Sequence, residues 1–424
     1  MHHGLEWYVD ASTAALQDAK QNGKLLLVDL WAPWCHTCLS MREYVLTAAH
    51  LADVREQLVF LALDTERAEN ASALRRWPVS TWPTLYLVDG DGNIQGRWVG
   101  AASPAQLSRF VRDGLRAAEA RRTGTLAADD PLALLIAGDR QSALGQLSEA
   151  STLYRQTLRA ARSDWLRKPE TWVALAGTLR KLEQPSECVD LGLDVLAKSD
   201  RQLGLTASAT DFVYLVLDCA RMLGAENTRS KALTLAAERK LRVLCEQGGP
   251  ALTPDDRSDA CGLLRESREA LGDPLGERHA AEQRLRVLEA AAEGVPDAVA
   301  LTYDYARSET LLYLQRAPEA LALLEARERA LPDDYNPPYY LARVYRELGQ
   351  LDAALAALER ALALAYGPRR AGMLTLKTDL LLAQGNKPLA KQTLEAQLAA
   401  YRALPEGQRQ PTREASVAQR LSQL

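Results

Sequence analysis

Residues 25–38 read LLLVDLWAPWCHTC. The first seven, LLLVDLW (25–31), form an apolar run of the length and character of a buried central strand. Gly23 ends the helical pattern before it, and a second helical pattern runs from about Cys35 to Ala49. Cys35 therefore falls at a strand-to-helix junction, and Cys38 lies one turn further in.

A cysteine pair at this spacing serves several chemistries. A zinc site needs two more donors, yet the chain holds no second C-x-x-C, and His36 and His50 do not form a ligand pair. A c-type haem attachment needs histidine directly after Cys38, where residue 39 is leucine. Inert core cysteines fit poorly at a junction. A redox couple has a mechanism. Sulfur at the first turn of a helix sits near unpaired N–H groups and the positive end of the dipole, which favours thiolate over thiol. Cys35 is then the reachable attacking sulfur, and Cys38 the shielded one that resolves a mixed disulfide.

Outward from this stretch, the pattern alternates between strands and helices. WYV (7–9) reads as a short strand and Ser12 to Asn22 as an amphipathic helix. After the cysteines come strand LVFLALD (58–64), a helix near Ala71 to Arg76, strand TLYLV (84–88), the turn DGDG (89–92), strand IQGRWV (94–99) and a closing helix from Ser103. This is an α/β order with a hairpin at the end of the sheet.

Beyond TGTLAADDP (123–131) the strands vanish, and an Ala-, Leu-, Arg- and Glu-rich helical pattern is broken by Gly or Pro at intervals. In NPPYYLARVYRELGQLDAALAALERALALA (336–365), Ala342, Tyr345, Gly349, Ala354, Leu358 and Ala361 fall at the spacings of a tetratricopeptide repeat. Ala320 and Ala390 stand in the place of Ala354, 34 residues before and 36 after it. Gly138, Gly145, Ala150 and Tyr154 fit the same template, as do Trp172, Ala176 and Cys188, while roughly 208 to 293 fit it loosely, with longer helices. The expected organisation is residues 1–122 as an α/β domain, 123–130 as a linker, and 131–424 as an all-α superhelical solenoid of about seven hairpins with a concave groove.

Residues 1 to about 120 resemble a thioredoxin domain. LLVDLWAPWCHTC matches that family's strand and active site, TWPTLYLVDGDG its proline loop and hairpin, and WVGAASPAQLSRFV its last strand and helix. The resemblance implies a central mixed sheet flanked by helices, with Asp29 as the buried carboxylate that assists Cys38 and Pro83 as a cis-proline facing the disulfide. It also implies a substrate rim of Trp34, His36, Thr81, Trp82, Gly100 and Ala101, to which Trp31 and Val99 contribute. Three departures stand out. His36-Thr37 replaces Gly-Pro, and a histidine beside the nucleophile favours its thiolate. Phe60 stands about where many thioredoxins carry a lysine, and Glu43 where a helix proline is usual. The domain is also similar to the C-terminal domain of membrane disulfide reductases.

A net charge of −4 gives no basic field for a phosphate backbone, so nucleic acid is not an expected partner. No apolar run is long enough for a membrane span, and MHHGLEWYVD is not an export signal, so a cytoplasmic location is expected unless a leader has been removed. Cys188, Cys219, Cys245 and Cys261 lie in helical patterns and are expected to act as small hydrophobes. The reading that follows is a thiol–disulfide oxidoreductase with no metal or cofactor beyond the Cys35–Cys38 couple. Its partners are protein disulfides or thiols, a protein client in the repeat groove and a reducing partner. The alternative is a redox-responsive holdase resembling bacterial chaperedoxins, which also join a thioredoxin domain to tetratricopeptide repeats.

Overall fold

A computed structural model describes residues 3–424. The α/β part comprises β1 (Trp7–Val9), α1 (Ser12–Asn22), β2 (Leu25–Trp31), α2 (His36–Tyr44), β3 (Leu58–Asp64), α3 (Ala71–Arg76), β4 (Thr84–Val88), β5 (Ile94–Val99) and α4 (Pro104–Arg122). The strands form one mixed sheet in the order β1-β3-β2-β4-β5. β1 runs parallel to β3, whereas β2–β4 and β4–β5 are antiparallel. Every residue of β2 except Trp31 is buried, as its unbroken apolar run requires. The register sets Leu30 beside Thr84 and Thr84 beside Val99. The end of β2, the start of β4 and the end of β5 therefore meet at one edge of the sheet.

Local chemistry sets the helix limits. Gly23 closes α1 in the left-handed region at φ 63°, and α4 begins with a capping box between Ser103 and Gln106, with Pro104 at its first position. α2 ends at Tyr44, five residues short of the expected Ala49. Beyond it the Thr47 hydroxyl accepts the His50 backbone N–H, and such side-chain bonds compete with helix continuation.

The remainder is helical: α5 (Pro131–Ala143), α6 (Leu147–Ala160), α7 (Lys168–Lys181), α8 (Pro185–Lys198), α9 (Asp200–Leu203), α10 (Ala207–Leu223), α11 (Thr228–Glu246), α12 (Pro254–Ala270) and α13 (Pro274–Ala292), then α14 (Asp297–Tyr313), α15 (Ala317–Ala330), α16 (Asn336–Glu347), α17 (Leu351–Leu364), α18 (Gly367–Ala383), α19 (Lys387–Ala403) and α20 (Pro411–Ser422). These build a tetratricopeptide-like solenoid. The template positions Ala150, Cys188, Ala320, Ala354 and Ala390 are all fully buried, because a small side chain there lets neighbouring helices approach closely. A Cβ on Gly138 would lie 2.7 Å from the Tyr154 ring, so that contact has room only for glycine. The loosely fitting middle contains the longer α10 to α13, of 17 to 19 residues.

The four helical cysteines depart from expectation. They are fully buried, but they are cross-linked: Cys188 to Cys219 joins α8 to α10, and Cys245 to Cys261 joins α11 to α12. Separations of 31 and 16 residues conceal both pairs in the sequence, and helix packing brings their Cα atoms to 6.0 and 4.8 Å.

The described chain forms two compact units. One holds the residues up to Leu63 together with Val79–Leu288, and the other holds Asp64–Pro78 together with Glu289–Leu424. In the first, a sheet core built on Leu27, Met41, Leu85, Trp98 and Phe110 accompanies a helical core built on Tyr154, Trp172, Phe212, Leu241 and Leu264. In the second, Asp64–Pro78 is gripped by later residues. The Tyr366 hydroxyl donates to Asp64, the Arg369 N–H to Glu66, and the Gln408 side-chain amide to the carbonyls of Thr65 and Arg67.

Candidate active site

Cys35 occupies the N-cap of α2 with extended backbone, and its sulfur accepts the Cys38 backbone N–H at 3.0 Å. The two sulfurs are bonded, with Cα atoms 5.2 Å apart. One helical turn separates the pair, so Cys35 sits at the helix N-terminus while Cys38 lies in the first turn. Trp31, Trp34 and Trp82 pack against the couple, and Trp34 meets Trp82 edge-to-face at 5.1 Å. Sequence reasoning expects a reachable Cys35; here it is 4% exposed, and Cys38 1%.

The other rim residues come from the same edge of the sheet. The Trp82–Pro83 peptide is cis, and the Pro83 carbonyl accepts the Gly100 N–H at 2.9 Å, tying the proline loop to the loop after β5. Thr81 is exposed, Trp82 is half-buried, and Pro83, Gly100 and Ala101 are buried. The Ala101 carbonyl accepts the Trp98 indole N–H at 3.1 Å.

Asp29 is buried on β2 and accepts the Arg42 guanidinium at 3.1 Å. Burial pushes its carboxyl above the usual range, and the charge and hydrogen bond of Arg42 oppose the rise. Arg42 also lies 3.8 Å over the Trp31 ring. This cation is a residue that sequence reasoning missed. The signal was present, since Arg42 follows Cys38 by four positions and so shares its helix face. Phe60 packs on Trp7, and Glu43 pairs with His3.

The helical array supplies further neighbours within the same compact unit. His36 Nδ1 lies 2.9 Å from Asp255 Oδ1 on α12. Ser40 donates to Thr253 at 3.0 Å, and the Ala101 N–H donates to Asp211 on α10 at 2.9 Å. The Gln106 amide donates to Ser208, and Lys181 on α7 reaches the Ser80 hydroxyl at 2.6 Å. α12 starts where it does because Thr253 and Asp256 form a capping box with Pro254 at the first position. Burial opposes charge on His36, yet Asp255 and Asp259 outweigh it and hold the imidazole at about 10. Burial, then the other carboxylates, push Asp256 up to about 7. Burial likewise pushes Asp259 up to about 6, against the pull of His36. Among the described residues, His36, Asp255 and Asp259 are a group whose possible metal-ligand atoms lie within 4.8 Å of one another; here they are engaged as an ion pair and its neighbour.

This sheet, with paired cysteines at the head of α2 and a cis-proline loop, is that of a thioredoxin-like protein, and the thioredoxin-like domain family matches residues 13–115. A thioredoxin of Mycolicibacterium smegmatis is 31% identical over 112 residues, covering 25% of this chain and 97% of that protein. The chain belongs to the thioredoxin family. The thiol:disulfide interchange protein DsbD of Colwellia psychrerythraea is 27% identical over 110 residues, and the match spans 18% of its length. A solved tetratricopeptide repeat protein from Parabacteroides merdae is 13% identical, covering 68% of this chain and 96% of its own, with a TM-score of 0.43.

Proposed function

We propose that the chain is a thiol–disulfide oxidoreductase acting on protein disulfides through Cys35 and Cys38, with the helical repeats docking its partner proteins. The observation that carries this reading is the bonded sulfur pair at the head of α2, with one sulfur at the N-cap. In the reduced form the Cys35 thiolate attacks one sulfur of a client disulfide, forming a mixed disulfide and expelling the other client sulfur as thiolate. Cys38, deprotonated with help from Asp29, then attacks Cys35, releases the second client thiolate and closes the Cys35–Cys38 bond. A reducing partner returns two electrons and two protons. Pro83, Thr81, Trp82, Trp34, His36, Gly100 and Ala101 form the surface along which the client segment lies.

One observation favours a second reading, a holdase that senses oxidation while its repeats bind unfolded clients: Cys35 is almost fully covered in the intact chain. The other two cross-links bear on location. Buried structural disulfides persist in oxidising compartments, which favours such a compartment over the cytoplasm. No described helix is long and apolar enough to cross a membrane.

The deciding experiment is dithiothreitol-driven insulin reduction. The wild type is expected to catalyse it, Cys35→Ser to abolish it with helicity unchanged, and Cys38→Ser to accumulate client mixed disulfides identifiable by mass spectrometry. Turnover by Cys35→Ser equal to that of the wild type would refute the reading.

A further inference from the structure

We propose that α7, α10 and α12 are a built-in cap on the redox centre, and that Asp211 stands where the backbone carbonyl of an incoming client segment would pair, so that a client binds by displacing the cap. The proposal rests on Cys35 being the reacting sulfur.

The cap touches α2, the proline loop and the loop after β5. α12 holds the active-site helix through His36–Asp255 and Ser40–Thr253. α7 holds the proline loop through Lys181–Ser80, one residue before Thr81. α10 holds the loop after β5 through Asp211–Ala101 and Ser208–Gln106. A backbone N–H at an open rim would be free to receive a client carbonyl, as when an extended peptide adds along exposed backbone. At Ala101 that donor is already satisfied from within the chain, by a carboxylate oxygen at 2.9 Å. The approach is so close that a Cβ on Gly100 would lie 2.2 Å from Asp211 Oδ2, leaving no space for a second chain between the loop and α10. Cys35 itself is only 4% exposed, with Trp31, Trp34 and Trp82 packed around the couple.

The closed state is also imperfectly satisfied. Asp255 is 2% exposed, and its Oδ2 has no hydrogen-bond partner, while Asp211, Asp256 and Asp259 crowd the same region. A buried acceptor left unpaired weakens the arrangement that buries it. Burial first, and then Asp256, hold the Asp211 carboxyl well above its ordinary range, so closure concentrates acid groups that opening would return to water. The cap is thus held by several polar contacts and opposed by its own carboxylates, which suits a contact that opens rather than a fixed interface.

The test compares the reduced full-length wild type with Lys181→Ala/Ser208→Ala, which removes two cap contacts and leaves the carboxylates and His36 as they are, measuring alkylation of Cys35 by iodoacetamide and insulin reduction side by side. Loss of two such bonds is expected to raise the alkylation rate by about tenfold or more, with helicity retained. Equal rates overturn the cap. Faster labelling without insulin reduction by either form sustains the cap and removes the oxidoreductase reading. Insulin reduction with unchanged labelling does the reverse. Should the double variant fail to fold, hydrogen exchange of the wild type decides: an Ala101 amide protected like the α10 backbone supports the cap, and exchange at the rate of an open loop overturns it.

Discussion

At the scale of single residues, His36 shows how a distant helix alters what a motif implies. The sequence sets it between the cysteines as a cation favouring the Cys35 thiolate, whereas its ring faces Asp255 and Asp259, with Arg284 opposing its charge. Held at about 10 against an ordinary 6.5, His36 contributes stability that is complete below pH 6.5 and lost as pH rises through 10. Asp259 and Asp256, lifted from 3.8 to about 6 and 7, contribute stability that is complete below pH 3.8 and lost as pH rises through those values. All three slopes run the same way. Denaturant midpoints of the wild type should therefore fall between pH 4 and pH 7, and Asp256→Asn/Asp259→Asn should flatten that fall; identical slopes would contradict the assignment. The bonded pair Cys35–Cys38, the cis bond before Pro83 and the burial of Asp29 were legible because the motifs that carry the family resemblance are local. Asp211 and Asp255 were not, lying 110 and 219 residues from the groups they meet, and nothing in a helical pattern declares which face meets another domain.

At the scale of elements, the strands and helices of the α/β part were readable from period and breaker residues, and β1, β2, β3, β4 and β5 fall at the expected positions. The exception, the early end of α2, arises from a side-chain bond that periodicity does not register. In the repeats, the spacing of small residues carried the information, because close approach of helices demands it. Ala354 on α17 is fully buried, so Ala354→Leu should overpack that contact and cost about 1–3 kcal/mol, seen as a lower thermal midpoint. An unchanged midpoint would mean that the position is not a helix–helix contact.

At the scale of the whole molecule, the sequence carried the change from mixed to helical grammar but neither the long-range disulfides nor the grouping into compact units, since both depend on contacts between distant segments. Cys188→Ser/Cys219→Ser should lower unfolding stability by about 2–4 kcal/mol, the usual range for removing such a cross-link, when measured without reductant. A variant as stable as the wild type would place the bond outside the stabilising framework. The grouping of Asp64–Pro78 with Glu289–Leu424 has a consequence for severability. The polypeptide passes between the units at 63/64, at 78/79 and at 288/289. A protease nick in the turn at 293–296 would therefore sever one strand of a threefold tether, and the released tail would still clasp a loop embedded in the amino-terminal quarter of the chain.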